Sequence, residues 1–245
     1  MKAYIGCSGF SYKEWKDVFY PPKLPSREWF NYYSERFSTL ELNVSFYKFP
    51  TLKTLLLWYE KSPEHFIFSV KAPQLITHYK QMKECTSLLV DFYTVCRDGL
   101  LDKLGPLLFQ FPARFVFSEE RLDRIVKQLD PAFLNVVEFR DKSWWNEKVG
   151  NALAAANIAF CGQSFPNLPD DVVRTANFLY YRFHGIPDLY YSKYNEEEIK
   201  EKADQVLAQS EALQSAFVYF NNTAAIGAID NAKWMESYLG EQLLE

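Results

Sequence analysis

Eight short runs of β-strand character recur along the chain at intervals of roughly 20 to 40 residues, and most are separated by a segment of helical periodicity. That alternation is the pattern of βαβ units feeding one parallel sheet, because parallel neighbours need a long crossover and a helix supplies it. The runs are AYIGCS (3–8), TLELNV (39–44), FIFSVK (66–71), PLLFQF (106–111), NVVEFR (135–140), IAFCGQ (158–163), FLYYRFH (178–184) and AFVYFN (216–221). Helices are expected over 26–37, 51–60, 84–100, 118–129, 146–156, 196–213 and 228–239. Ser26 is the expected N-cap of the first, with Trp29, Phe30, Tyr33 and Phe37 at helical spacing; Asn195 caps the segment NEEEIKEKA, whose three glutamates suit the positive end of a helix. Only the connection SFPNLPDDVVRTAN (164–177) is too short and proline-broken for a full helix.

Eight β/α repeats in 245 residues match a (β/α)8 TIM barrel, an α/β fold, as a single domain spanning 1–245. A doubly wound open sheet is the competing architecture. It usually has fewer strands at this length, and its G-x-G-x-x-G phosphate fingerprint is absent here. With 27 Lys and Arg against 31 Asp and Glu, the chain has no overall basic field to hold a polyanion, which weighs against nucleic acid as the main partner. Cys7, Cys85, Cys96 and Cys161 are widely spaced, no secretory apolar region opens the chain, and no run of about 18 apolar residues is present. Reduced, buried thiols in a cytoplasmic protein, with no membrane partner, are the expectation.

In a barrel the outer strand face packs on helices, so polar residues report the inner face. Glu41 and Asn43 alternate with Leu40, Leu42 and Val44; Glu138 and Arg140 with Val137 and Phe139; Ser69 and Lys71 with Phe68 and Val70. Gln110 opposes Phe109 and Phe111, Tyr219 and Asn221 oppose Val218 and Phe220, and Arg182 and His184 oppose Tyr181 and Phe183. Each polar residue sits late in its run, toward the C-terminal strand ends where such barrels carry their sites. Ser8 and Gln163 could join them. The competing reading is that these groups neutralise one another, Glu138 pairing with Lys71 or Arg182 and Arg140 with Asp141.

Several stretches resemble the YecE-like family, catalogued as domain of unknown function 72. They are IGCSGFSYKEWKDVFYP (5–21), ELNVSFYKFP (41–50), FSVKAPQLITH (68–78), LGPLLFQFP (104–112), VEFRDKSWW (137–145), YRFHG (181–185) and YFNNTAAIGAIDNA (219–232). The resemblance implies a TIM barrel and supplies no activity. Relatives often resemble V-x-x-D-x-x-P after the sixth strand, where this chain has FCGQSFP with Gln163 in the aspartate's place.

Chemically, Lys71, Arg140 and Arg182 suit a phosphate or carboxylate. Glu41, Glu138 and His184 are candidates for proton transfer in hydrolysis, isomerisation or elimination. Asn43, Gln110, Trp144, Tyr219 and Asn221 are candidate substrate contacts. Three histidines, His65, His78 and His184, are too few for a multinuclear metal centre, so no metal site and no cofactor is expected, although Glu41, Glu138 and a substrate oxygen could hold one Mg²⁺ or Mn²⁺. His78 either reaches the same region or caps a turn. The long first loop (8–25) carries Phe10, Tyr12, Trp15, Phe19 and Tyr20, either as a cover stacking on a ring-shaped ligand or as a small secondary core. The leading expectation is an enzyme acting on a small anionic, phosphorylated or sugar-like metabolite. A nucleic-acid-binding or phosphodiester-processing protein and a non-catalytic metabolite-binding protein are the alternatives, and the oligomeric state is left open.

Overall fold

A computed structural model of the chain describes residues 1–243. Nine parallel strands are ordered β6-β5-β4-β3-β2-β1-β9-β8-β7. In chain order the elements are β1 (Lys2–Ser8), α1 (Trp29–Ser34), β2 (Thr39–Leu42), α2 (Val44–Tyr47), α3 (Leu52–Lys61), β3 (Ile67–Lys71), α4 (Thr86–Leu100), β4 (Leu104–Gln110), α5 (Glu119–Gln128), β5 (Asn135–Glu138), α6 (Glu147–Ala155), β6 (Ala159–Phe160), β7 (Gly162–Ser164), β8 (Phe178–Phe183), α7 (Glu196–Leu207), β9 (Ser215–Phe220) and α8 (Gly227–Gln242). Counting β6 and β7 as one run interrupted at Cys161 recovers the eight expected strands, and the fold is of the (β/α)8 TIM-barrel class. Residues 159–160 pair with β5, and 162–164 pair with β8.

The chain divides into two compact units. One comprises 1–41, 162–172 and 177–243; the other comprises 42–161 and 173–176. In the first unit β1 pairs with β2 and β9, and β8 with β7 and β9, in a register that sets Ser8 beside Glu41 and Arg182 between Gln163 and Tyr219. In the second, β4 lies between β3 and β5, with Gln110 opposite Glu138 and Lys71 opposite Leu108.

Local chemistry accounts for most element boundaries. Thr51, Ser118, Asn146 and Asn195 each accept a hydrogen bond from the backbone N–H three residues on, and Asn195 and Glu198 form a reciprocal capping box. Ser26 does not act as the expected cap. It opens a 3-10 turn, Ser26–Glu28, that follows Pro25 and leads into a short α1. Val44 is also displaced from its expected strand. The chain turns at Asn43 into α2, so Val44 is exposed instead of sharing the face of Leu40 and Leu42.

Most of the first-loop aromatics form a secondary core. Trp15, Phe19 and Tyr20 are buried, the Tyr20 ring stacks on Trp29 at 4.7 Å, and Trp15 Nε1 donates to Ala225 O at 3.0 Å. Only Phe10 and Tyr12 of the five retain partial exposure. Among the described residues, no helix is long and apolar enough to cross a membrane.

Candidate functional site

In the first unit the alternation of β8 turns Tyr180 and Arg182 to one side, and both reach Glu41 of β2. Tyr180 Oη donates to Glu41 Oε2 at 2.6 Å, and Arg182 Nη2 donates to Glu41 Oε1 at 2.7 Å and lies 3.4 Å from Ser8 Oγ. Glu41 is 0% and Arg182 1% exposed, so the ion pair is dry. Burial, and then the neighbouring Glu41 carboxylate, hold the Tyr180 phenol well above its usual pKa of 10.0, so it remains a proton donor to Glu41. Tyr219 lies in the same interior, fully buried, with its hydroxyl 2.6 Å from Thr39 Oγ1.

His184 follows β8 and is fully buried. Its Nδ1 accepts from Asn221 Nδ2 at 2.9 Å, which leaves the proton of a neutral ring on Nε2, and Phe165 meets the ring edge-on at 5.4 Å. Gln163 is buried beside Arg182 in the β7–β8 register. Tyr12, from the first loop, donates to Ser8 O at 2.6 Å, and burial pushes its phenol above the usual range against the opposing effect of a Thr223 hydrogen bond.

In the second unit a group of cations gathers at the C-terminal strand ends. Arg140, just past β5, pairs through Nη2 with Glu138 Oε1 at 2.5 Å; Glu138 is fully buried and the Arg140 side chain is 10% exposed. Lys71, the last residue of β3, places Nζ 4.2 Å over the Phe46 ring, while Ser45 Oγ donates to Lys71 O at 2.6 Å. A π-helical turn, Leu75–Tyr79, carries His78 to the same place, its ring edge-on to Phe46 at 5.0 Å and its Nδ1 3.0 Å from Thr77 Oγ1. Arg114, in the loop after β4, donates from Nη2 to His78 O at 2.7 Å. Partial burial, then the positive charges of Lys71, Arg114 and Arg140, push the His78 pKa from 6.5 down to about 4, with Glu138 opposing. Sequence alone leaves His78 between two readings, and Arg114 escapes it because a loop arginine carries no strand parity to mark it.

Two of the expected ligand contacts are engaged within the protein. Trp144 is 0% exposed, lies parallel to Phe139 at 3.9 Å and to Phe115 at 5.4 Å, and donates its Nε1–H to Phe115 O, so its ring is packed within the protein. Gln110 is 8% exposed and donates its amide to Phe111 O, which ties it to its own strand end. Asn43 and Asn221 keep partial exposure, and Asn43 Oδ1 is buried with no hydrogen-bond donor among the described residues. The two carboxylates considered for a divalent ion each hold an arginine guanidinium, and among the described residues no three His, Cys, Asp or Glu gather as metal ligands.

The family model described as "Protein of unknown function DUF72" matches residues 4–245. The UPF0759 protein YunF of Bacillus subtilis (strain 168) is 28% identical over 264 aligned residues, covering 95% of this chain and 93% of that protein. A crystal structure of a DUF72 family protein from Thermotoga maritima MSB8 superposes with a TM-score of 0.87 at 28% identity, over 100% of both chains. Another, from Enterococcus faecalis V583, shares the fold with a TM-score of 0.83 at 20% identity, over 97% of this chain and 95% of that one. A match that runs through every strand end described above, from β1 to α8, places the whole chain in one family: it belongs to DUF72.

Proposed function

We propose that the protein is an enzyme acting on a small anionic metabolite, whose anionic group is held at the C-terminal ends of β3 and β5 by Lys71 and Arg140. The observation that carries this reading is the excess of cations there. Among the described residues, the charges of Lys71, Arg114 and Arg140 all act on His78, and that of Glu138, paired with Arg140, opposes them. Such an excess costs free energy, and a bound phosphate or carboxylate offsets it through charge-assisted hydrogen bonds. Glu138, against Arg140, and His78, neutral at physiological pH, are then the proton-transfer groups nearest the bound anion. Arg182, an equal candidate on sequence, is paired with buried Glu41 and its side chain is 2% exposed, whereas that of Arg140, paired with Glu138, keeps 10% exposure.

The test is a set of melting scans of wild type and Lys71→Ala at constant ionic strength, with inorganic phosphate, sugar phosphates and carboxylates, followed by turnover assays on each stabilising compound. A compound present at 100 times its Kd adds about 2.7 kcal/mol, and for a chain of this size that raises the melting temperature by about 5 to 10 °C. Stabilisation of wild type with a much smaller effect on Lys71→Ala is the expected result. Equal responses in both proteins, or none to any anion, would overturn the assignment.

A further inference from the structure

Trp15, Phe19 and Tyr20 of the first loop are buried, and exposed rings occur in the second unit instead. Beside the cation group of the second unit, two tyrosines stand in solvent: Tyr47 is 76% exposed and Tyr79 69% exposed. Tyr47 ends α2, and its ring meets Phe46 edge-on at 5.1 Å; Phe46 in turn carries Lys71 Nζ over its face and His78 against its edge. Tyr79 directly follows His78 at the end of the π-helical turn, whose His78 carbonyl is held by Arg114. Tyr47, Phe46, Lys71 and His78 thus form one connected set of contacts within residues 42–161, and Tyr79 adjoins it in sequence.

An inorganic anion has use for the cations alone, because the face of an aromatic ring is electron-rich and gives a bare anion nothing. A flat ring carried on that anion would gain from stacking against tyrosine while its charged group stays on the cations. Two phenol rings on short, connected elements beside lysine and arginine therefore select for a molecule with both parts. We propose that the ligand is an anion bearing a planar heteroaromatic ring, the chemistry of a nucleoside monophosphate, with its phosphate toward Lys71 and Arg140 and its ring against Tyr47 and Tyr79. This narrows the substrate class of the anion site proposed above and rests on that reading.

Titration calorimetry tests it with three probes: inorganic phosphate, ribose 5-phosphate and adenosine 5′-monophosphate. The proteins compared are wild type, Lys71→Ala and the double variant Tyr47→Ala/Tyr79→Ala, whose exposed positions can be truncated without opening the core. Wild type should bind the nucleotide at least about tenfold more tightly than ribose 5-phosphate, equivalent to about 1.4 kcal/mol. The double variant should lose that gain and keep its affinity for ribose 5-phosphate, and Lys71→Ala should weaken both phosphorylated sugars. Equal affinity of wild type for nucleotide and ribose 5-phosphate would overturn the ring assignment and leave the anion site standing. A gain that survives in the double variant would overturn the role of these tyrosines, and absence of binding to all three probes would overturn both readings.

Discussion

Arg182 and Glu41 lie in the dry interior of the first unit, and this makes the effect of a single substitution there asymmetric. Truncating Arg182 leaves the Glu41 carboxylate buried against the Tyr180 hydroxyl without its guanidinium partner. Breaking a buried pair in this way typically costs about 3 to 5 kcal/mol, whereas removing both charges together costs far less. Arg182→Ala is therefore expected to lose about that much unfolding free energy in urea, and Arg182→Met with Glu41→Gln should lose less than Arg182→Ala alone. A loss below about 1 kcal/mol for Arg182→Ala would instead be the behaviour of a solvated pair. The same depth limits what the sequence can show of the site. Parity along the strands places Glu41 and Arg182 on one shared side, and the structure brings them together; parity says nothing about how far below solvent each residue lies. Glu41, Glu138 and His184, the three expected proton carriers, are all fully buried, whereas His78, from a short π-helical turn with no strand periodicity, keeps access to solvent.

Among the elements, α7 rests on the most complete local signal in the chain. Asn195 Oδ1 accepts from Glu198 N at 3.0 Å, and Glu198 Oε2 accepts from Asn195 N at 2.8 Å. Asn195→Ala removes the first bond and should lower stability by about 1 kcal/mol in denaturant melts. Asn195→Asp keeps an acceptor and should retain most of the stability; an equal loss in both variants would show that the cap does not hold the helix. This element was legible because capping chemistry is encoded within four residues. The first helix was less so: Ser26 has the right side chain, but its place after Pro25 in a 3-10 turn leaves it without the capping bond. Likewise the strand expected over 158–163 is interrupted at Cys161, because its two halves serve different neighbours, a fact of pairing that no local pattern records.

For the molecule as a whole, His78 links the cation group to stability. In the folded protein its pKa lies near 4, and in the unfolded chain it returns to about its usual 6.5. Between these values the unfolded chain takes up a proton that the folded one refuses, so this contribution to stability is complete above pH 6.5 and is lost as pH falls toward 4. Measured as the difference in unfolding free energy between wild type and His78→Gln, the wild-type advantage should shrink over that interval and level off below it. A difference that grows as pH falls would mean that Glu138 governs the histidine more strongly than the surrounding cations do. By itself the sequence determined the α/β repeat and the parallel class of the sheet, because periods of 2 and 3.6 and capping residues are written into short stretches of chain. The tertiary structure decided which inward groups meet and which reach water. Glu138 takes the arginine two residues away and Glu41 one 141 residues away, because pairing register and packing depth arise only when distant segments come together.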